Sequence, residues 1–301
     1  MKKTNESPCV QQAMNQGLSA RRKAYNTGMR ALIYIAAAIV VALLVFLLGY
    51  ILYRGLPNLT WEFLTSEESV VRDIQGIGPA ILNTLYVIIA TLIVVLPLGV
   101  GAAIYLTEYA TNHKLVSAIE FATETLAGIP SIIYALVGVL IFAESLRLGK
   151  TLIAGALTLV IMVLPTVIRT TQESLKTVPQ SYREGSLGLG SGKWHMIRTV
   201  VLPSSIDGIV TGCILAIGRI VGESAVLLYT VGMSMQMQDF FRNGVESFFS
   251  ASGSTLSVAL YVYAKVRADF DLAFSVAVVL IVITLVINLA ANLVGKKLKK
   301  K

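Results

Sequence analysis

Residues 79–106 read PAILNTLYVIIATLIVVLPLGVGAAIYL, without a single charged side chain. About 20 apolar residues suffice for a helix rising 1.5 Å per residue to cross roughly 30 Å of hydrocarbon. The stretch therefore predicts a transmembrane helix, and it sets the pattern for the rest of the chain. Similar runs lie at about Ala31–Tyr53, Ala118–Phe142, Leu152–Ile168, Ile206–Val231 and Leu272–Val294. Together they predict an all-α, polytopic transmembrane helical bundle with six spans. Composition agrees: of 301 residues 55% are hydrophobic and 14% charged, and mean hydropathy is +0.73. Average soluble domains carry roughly 25% charged residues, so an ordinary soluble enzyme is excluded.

The first thirty residues form a polar tail containing Arg21-Arg22-Lys23. The run at 31–53 is too long for the core of a signal peptide and is expected to stay as an uncleaved first span. Six spans place both termini on one side. With those termini in the cytoplasm, 17 lysines and arginines fall inside and 7 outside, and Arg219 remains within a span. The positive-inside rule then predicts cytoplasmic termini. The same count accounts for the net charge of +8 as topology, leaving no basic surface for nucleic acid. The tail at 295–301, Lys-rich from Lys296 to Lys301, reads as a stop-transfer anchor beside membrane lipid. Residues 79–294 would form a core of five spans, with the span at 31–53 as an extra flank. Two cysteines, Cys9 and Cys213, and two distant histidines offer neither a disulfide framework nor a metal site.

Two loops stand out. The segment at 169–205 keeps helical patterning and is expected to be folded on the cytoplasmic side. The outer stretch at 232–271 carries Phe240, Phe241, Phe248, Phe249, Tyr261 and Tyr263, which read as an interfacial aromatic belt in preference to a ligand pocket.

Within the cytoplasmic loop, Arg183-Glu184-Gly185-Ser186-Leu187-Gly188-Leu189-Gly190 precedes Val200-Val201-Leu202-Pro203. The pattern predicts a short helix ended by a glycine turn, then a second helix stopped by proline, within a loop at about 176–203. Such a unit either docks a partner at the membrane surface or simply returns the chain to the bilayer. It resembles the cytoplasmic coupling loop of bacterial ABC importer permeases, whose pattern is Glu-Ala-Ala, three residues, Gly, nine residues, Ile, one residue, Leu-Pro. Glu184, Gly190, Leu202 and Pro203 fall on that pattern, with Gly185 and Ser186 replacing the alanines and Val200 the isoleucine. The resemblance implies docking to ATP-hydrolysing subunits.

The chain has no nucleotide-gripping loop of its own, so ATP and Mg belong on that partner. A phosphate-cradling loop needs Gly, four residues, then Gly-Lys-Ser/Thr. Gly149-Lys150-Thr151 has Glu144 where the first glycine belongs, and Gly192-Lys193 has Trp194 after it and Leu187 before it.

Arg219 lies about twelve residues into the fifth span. A lone arginine at mid-bilayer costs roughly 2.5–3.5 kcal/mol on insertion scales and needs a partner. Glu223, one turn on, is the nearest candidate, and the spacing recurs at Arg169 and Glu173. Such pairs either lock helices together or line a route for an oxyanion, whose oxygens a guanidinium fork matches.

These segments, Leu164-Pro165-Thr166-Val167-Ile168-Arg169 through Glu173, Gly128-Ile129-Pro130-Ser131-Ile132, and Gly218-Arg219-Ile220-Val221-Gly222-Glu223-Ser224, resemble the permeases of the phosphate-specific ABC transport system, and its A-type subunit in particular. The resemblance covers about residues 30–295. It implies a type I ABC importer permease fold and a phosphate route lined by Arg169, Glu173, Arg219 and Glu223. The implied partners are a homologous permease in a heterodimer, two ATP-binding subunits, an extracytoplasmic phosphate-binding protein and a phosphate-signalling regulator, in a bacterial inner membrane. No bond chemistry is expected on this chain. The competing expectations are a permease for another small anion such as phosphonate, and a regulatory membrane subunit that relays phosphate status. The glycine and proline near residue 130 predict a break in the third span or a close helix approach.

Topology is tested directly. A reporter fused after Lys301 or within residues 185–195 should read cytoplasmic, and one near Glu67 extracytoplasmic; a C-terminus read outside would overturn the six-span count.

Overall fold

The computed structural model describes residues 20–68, 75–234, 250 and 252–299, and every regular element among them is helical. Phe240, Phe241, Phe248 and Phe249, four of the expected belt residues, lie outside the described residues. The chain divides into two compact units, with the boundary after Tyr53.

Helix α1 (Ala20–Gly55) supplies all of the described part of the first unit. None of its apolar window is buried. A helix that is hydrophobic all round suits a membrane span.

The second unit begins with the last residues of α1 and a short α2 (Trp61–Thr65), capped by Thr60, whose hydroxyl accepts from the Phe63 amide at 3.1 Å. It continues with α3 (Gly78–Ile104), α4 (His113–Ala127), α5 (Ser131–Gly138), α6 (Leu152–Lys176), α7 (Gln180–Gly188), α8 (Lys193–Ser204), α9 (Ile206–Gly222), α10 (Ala225–Thr230), α11 (Leu256–Tyr261) and α12 (Phe270–Lys299). Wide π-helical turns extend α3 at Tyr105–Tyr109, α5 at Val139–Ser145 and α11 at Val262–Val266, and another interrupts α8 at Ile197–Val201.

Helix α6 is the axis of this unit, with 67% of its apolar window buried against 33% for α3 and 28% for α12. Thr151, part of the Gly149-Lys150-Thr151 decoy, starts it by accepting from the Ala154 amide at 3.3 Å. Small residues let neighbours approach closely, because lipid gives no hydrophobic drive between helices and dispersion contacts must be dense. A Cβ built on Gly138 of α5 would meet Thr158 Oγ1 at 2.2 Å. On α9, one at Gly208 would meet Ser174 Oγ at 2.3 Å and one at Gly212 would meet Thr170 Oγ1 at 2.2 Å. The pairings 208 with 174 and 212 with 170 fix α9 antiparallel to α6.

Among the described residues four helices are long and apolar enough to cross a membrane, and two bent pairs, counted as one span each, raise the number to six. The third span bends at the break that Gly128 and Pro130 predict, whereas the fifth, expected at about Ile206–Val231, is helical to Gly222 and resumes at Ala225, and its bent partner Lys193–Ser204 comes from the loop expected before it. Helices α4 and α5 meet at 98° across Gly128-Ile129-Pro130, and α8 and α9 at 66° across Ser205. The first break follows from Pro130, which has no amide hydrogen and forces the residue before it out of helical backbone.

The stretch at 232–271, expected to be an outer loop with an aromatic belt, is corrected in part. Its segment from Leu256 to Val266 is a helical element whose Leu256, Val258, Ala259, Val262 and Tyr263 are buried in the main core. Tyr263 is therefore a core side chain, with Arg267 over its ring at 5.1 Å, whereas Tyr261 is exposed. The segment is anchored by α3: Asn83 Nδ2 donates to Ser254 O at 3.0 Å and the Leu256 amide donates to Thr84 Oγ1 at 2.9 Å.

Overpacking a tight helix contact costs roughly 1–3 kcal/mol. Gly138→Leu and Gly212→Leu should therefore lower the melting temperature of the detergent-purified protein and its yield. Gly101→Ala, where nothing lies within 4 Å of the new methyl, should leave both unchanged.

Candidate functional site

The functional geometry is a polar stripe on α6. Thr166, Arg169, Glu173 and Lys176 are spaced three, four and three apart, so they share one face near the α7 end of the helix. Arg169 Nε donates to Glu173 Oε1 at 3.1 Å, the pairing expected from spacing. Its Nη1 donates to Glu124 Oε1 of α4 at 3.2 Å, a partner the sequence reading missed. One turn earlier on α4, Glu120 Oε1 accepts from Lys176 Nζ at 3.1 Å and from Gln172 Nε2 at 3.3 Å. These residues and Thr123 line a pocket of about 220 Å³. The pairs face solvent in the isolated chain: side-chain exposure is 58% for Arg169, 69% for Glu124 and 64% for Glu173. Exposed ion pairs add little to stability, so they are not what holds α4 against α6.

Arg219 stands in a different environment. It occupies the last turn of α9, and its Nη1 donates to Thr166 Oγ1 at 3.4 Å. That contact brings it to the α6 stripe one turn from Arg169, about 4.5 Å along the axis by the helical rise. Its charge also acts on Tyr134 of α5, whose hydroxyl donates to Leu126 O at 2.8 Å. Among the described residues no carboxylate lies within ion-pair distance of Arg219.

The expected Arg219–Glu223 pair is thus not formed. Helix α9 ends at Gly222, and Glu223 has left helical backbone, with φ −82° and ψ 108°. Its carboxylate instead caps α10, accepting from the amides of Ala225 at 3.1 Å and Val226 at 3.3 Å. Its carbonyl accepts from Ser257 Oγ at 3.0 Å. A helix start left with bare amides in an apolar setting competes for the same carboxylate, and here it wins.

The segment expected to be the coupling loop forms the second half of the candidate site. Helix α7 ends at Gly188 and the chain turns at Gly190, whose φ of +84° lies in the left-handed region that glycine occupies without strain. Ser186 and Ser191 close the turn, their hydroxyls 2.7 Å apart. Glu184, Gly185, Gly190 and Pro203 are exposed, Leu202 is half-buried, and Tyr182, Leu187, Leu189 and Trp194 project apolar surface around them, Leu189 at 92% exposure. Helices rarely leave such side chains uncovered unless a partner takes them.

Arg183 behaves differently from these neighbours. Its Nε and Nη2 both donate to Glu108 Oε1, at 3.1 and 2.9 Å, while Nη1 and Nη2 bond the carbonyls of Val178 at 2.6 Å and Leu175 at 2.9 Å. With side-chain exposures of 12% and 6%, the pair is largely shielded from solvent. Arg183 therefore braces α7 against the wide turn of α3 instead of presenting itself to a partner, and Lys193 lies over the Tyr109 ring at 5.1 Å beside it.

Comparison with known proteins shows the family. Residues 95–301 match the family described as binding-protein-dependent transport system inner membrane component. The chain belongs to that family. It is 39% identical over 214 residues to the probable ABC transporter permease protein YqgI of Bacillus subtilis, covering 71% of this chain and 72% of that one. It is 32% identical over 240 residues to the phosphate transport system permease protein PstA 1 of Mycobacterium tuberculosis, covering 76% and 77%. A bacterial alginate ABC transporter chain, solved in complex with an alginate-bound periplasmic protein, superposes with a TM-score of 0.64 at 15% identity, over 92% of this chain and 98% of that one. A chain of the MetNI methionine ABC transporter superposes with a TM-score of 0.54 at 19% identity, over 76% and 95%. The fold is that of ABC importer permeases, and the chain is a multi-pass transport-system component rather than an enzyme.

Glu108, Glu120, Glu124 and Thr166 were absent from the sequence-based site. A signal for two of them existed, since Glu120 and Glu124 fall inside the apolar run at 118–142, where any carboxylate is costly.

Breaking a buried ion pair by removing one partner costs roughly 3–5 kcal/mol. Arg183→Ala in this permease should therefore reduce folded protein, and Glu108→Ala should do the same. Glu184→Lys, at an exposed position, should leave folding intact but weaken retention of ATP-binding subunits on affinity purification.

Proposed function

We propose that this chain is the A-type permease subunit of an ATP-driven importer that carries inorganic phosphate into the cytoplasm by alternating access. The observation that carries the reading is Arg219: a half-buried guanidinium within the helical bundle, bonded to a hydroxyl and free of any carboxylate neighbour among the described residues. A cation left open in that way attracts an anion, and its planar fork suits a tetrahedral oxyanion. The relatives named as phosphate transport system permeases supply the identity of that anion.

In this reading the chain pairs with a homologous permease in a bacterial inner membrane, surrounded by lipid, with both termini in the cytoplasm. Support for that orientation comes from the 17 to 7 division of basic residues. Two ATP-binding subunits, which bring ATP and Mg, dock on the exposed surface of α7 and the Gly190 turn. An extracytoplasmic phosphate-binding protein delivers the substrate, and a phosphate-signalling regulator engages the assembled complex. Closure of the ATPases around nucleotide pushes the coupling loop, and the Arg183–Glu108 brace passes that push to α3. Phosphate then moves from Arg219 along the α6 stripe toward Arg169 and Glu173, with Glu223 shaping the route through its cap on α10.

The test is phosphate uptake by proteoliposomes holding the full complex, normalised to assembled protein. A lost hydrogen bond to a charged group is worth roughly 1.5–3 kcal/mol, or about 10- to 100-fold. Arg219→Ala should lower uptake by about that factor with assembly intact, and Arg219→Lys should recover little, because an ammonium lacks the two-pronged geometry. Glu223→Gln, which keeps an acceptor for the α10 amides, should be milder than Arg219→Ala. Undiminished uptake in Arg219→Ala would refute the direct role of this arginine.

A further inference from the structure

Arg169 and Arg219 reach the same stripe of α6, yet their electrostatic states are opposite. Arg219 meets only a hydroxyl among its hydrogen-bond partners, whereas Arg169 is already paired with the carboxylates of Glu124 and Glu173. The pocket around Arg169 has three carboxylates, Glu120, Glu124 and Glu173, against two cations, Arg169 and Lys176. An anion arriving there meets a net negative wall and a guanidinium whose Nε and Nη1 already donate to carboxylates. Arg169 in this state repels what Arg219 attracts.

The two carboxylates on Arg169 are not equivalent. Glu173 lies on the same helix, four residues away, and travels with Arg169 through any movement of α6. Glu124 lies on α4, which leaves α5 at 98° just beyond it. Its hold on Arg169 therefore depends on the separation of α4 and α6, and the Glu120–Lys176 bond one turn away depends on the same separation.

We propose that Glu124 is a built-in competitor of the transported oxyanion for Arg169. With α4 against α6, its carboxylate occupies the guanidinium. When the helices part, the anion takes its place, and when they return, Glu124 reclaims Arg169 and drives the anion out. The exchange is non-covalent, with one anionic oxygen replacing another on the same Nη1 donor. It makes Glu124 a positioning residue for release, and it rests on the phosphate-import reading above.

The experiment uses the full complex with inorganic phosphate as the probe. Retention of labelled phosphate by the detergent-purified, ATP-free complex is measured first, then turnover in proteoliposomes. Glu124→Gln keeps the side-chain volume but removes the charge, and should raise retention roughly tenfold while lowering the maximal uptake rate several-fold. Glu124→Asp should return both toward the unmutated complex. Glu120→Gln removes the same charge from the same wall without touching Arg169, and should raise retention far less.

Equal rises in Glu124→Gln and Glu120→Gln would mean diffuse electrostatics and overturn the proposal, as would unchanged retention in Glu124→Gln. Failure of Glu124→Gln to assemble would make the contact a fold lock and overturn it too. An unmutated complex that takes up no phosphate would instead refute the import reading itself, which separates that failure from the failure of the competitor alone.

Discussion

Where α9 crosses α6, Gly208 and Gly212 leave room for Ser174 and Thr170, and the height of Arg219 follows from that contact. One further turn of the same antiparallel register sets residue 216 level with residue 166. Helical side chains lean back toward the start of their helix, so Arg219, three residues on, reaches down to Thr166. A side chain at either glycine would push the helices apart and lift the guanidinium off the stripe it shares with Arg169. Close packing in lipid has to be achieved by small residues and dense contacts, so the same glycines that hold the bundle together also determine where its charge sits.

Two kinds of ion pair then divide the work. Arg183 and Glu108 are largely shielded from solvent and bonded to each other, and such a pair is rigid because opening it strands a charge. Arg169, Glu124 and Glu173 are exposed and separable at little cost. The firm link thus lies between α7 and α3, and the loose links lie along the stripe of α6.

Much of this was legible in the sequence. Charge-free runs announced α3, α6 and α12, the Gly128 to Pro130 segment announced the bend, and four-residue spacing gave Arg169 with Glu173. Other features depend on contacts far apart along the chain. Glu108 lies 75 residues from Arg183 and Glu124 lies 45 from Arg169, so no local pattern connects them. Glu223 continues the α9 pattern by spacing, and it leaves the helix because the α10 amides and Ser257 offer it other bonds. The segment at 256–266 is too short to span and carries Lys265 close to Arg267, which hides a buried helix inside what reads as a loop.

The wide turns at the helix ends carry a mechanical meaning. A π-turn holds one residue more than the α-turn it replaces, and one residue of α-helix is about 100° of rotation. Shifting such a turn along its helix rotates the side chains it passes while the hydrogen-bond ladder stays nearly complete. Glu108 sits in the turn at Tyr105–Tyr109, so Arg183 of α7 meets α3 where its winding departs from the α-helix.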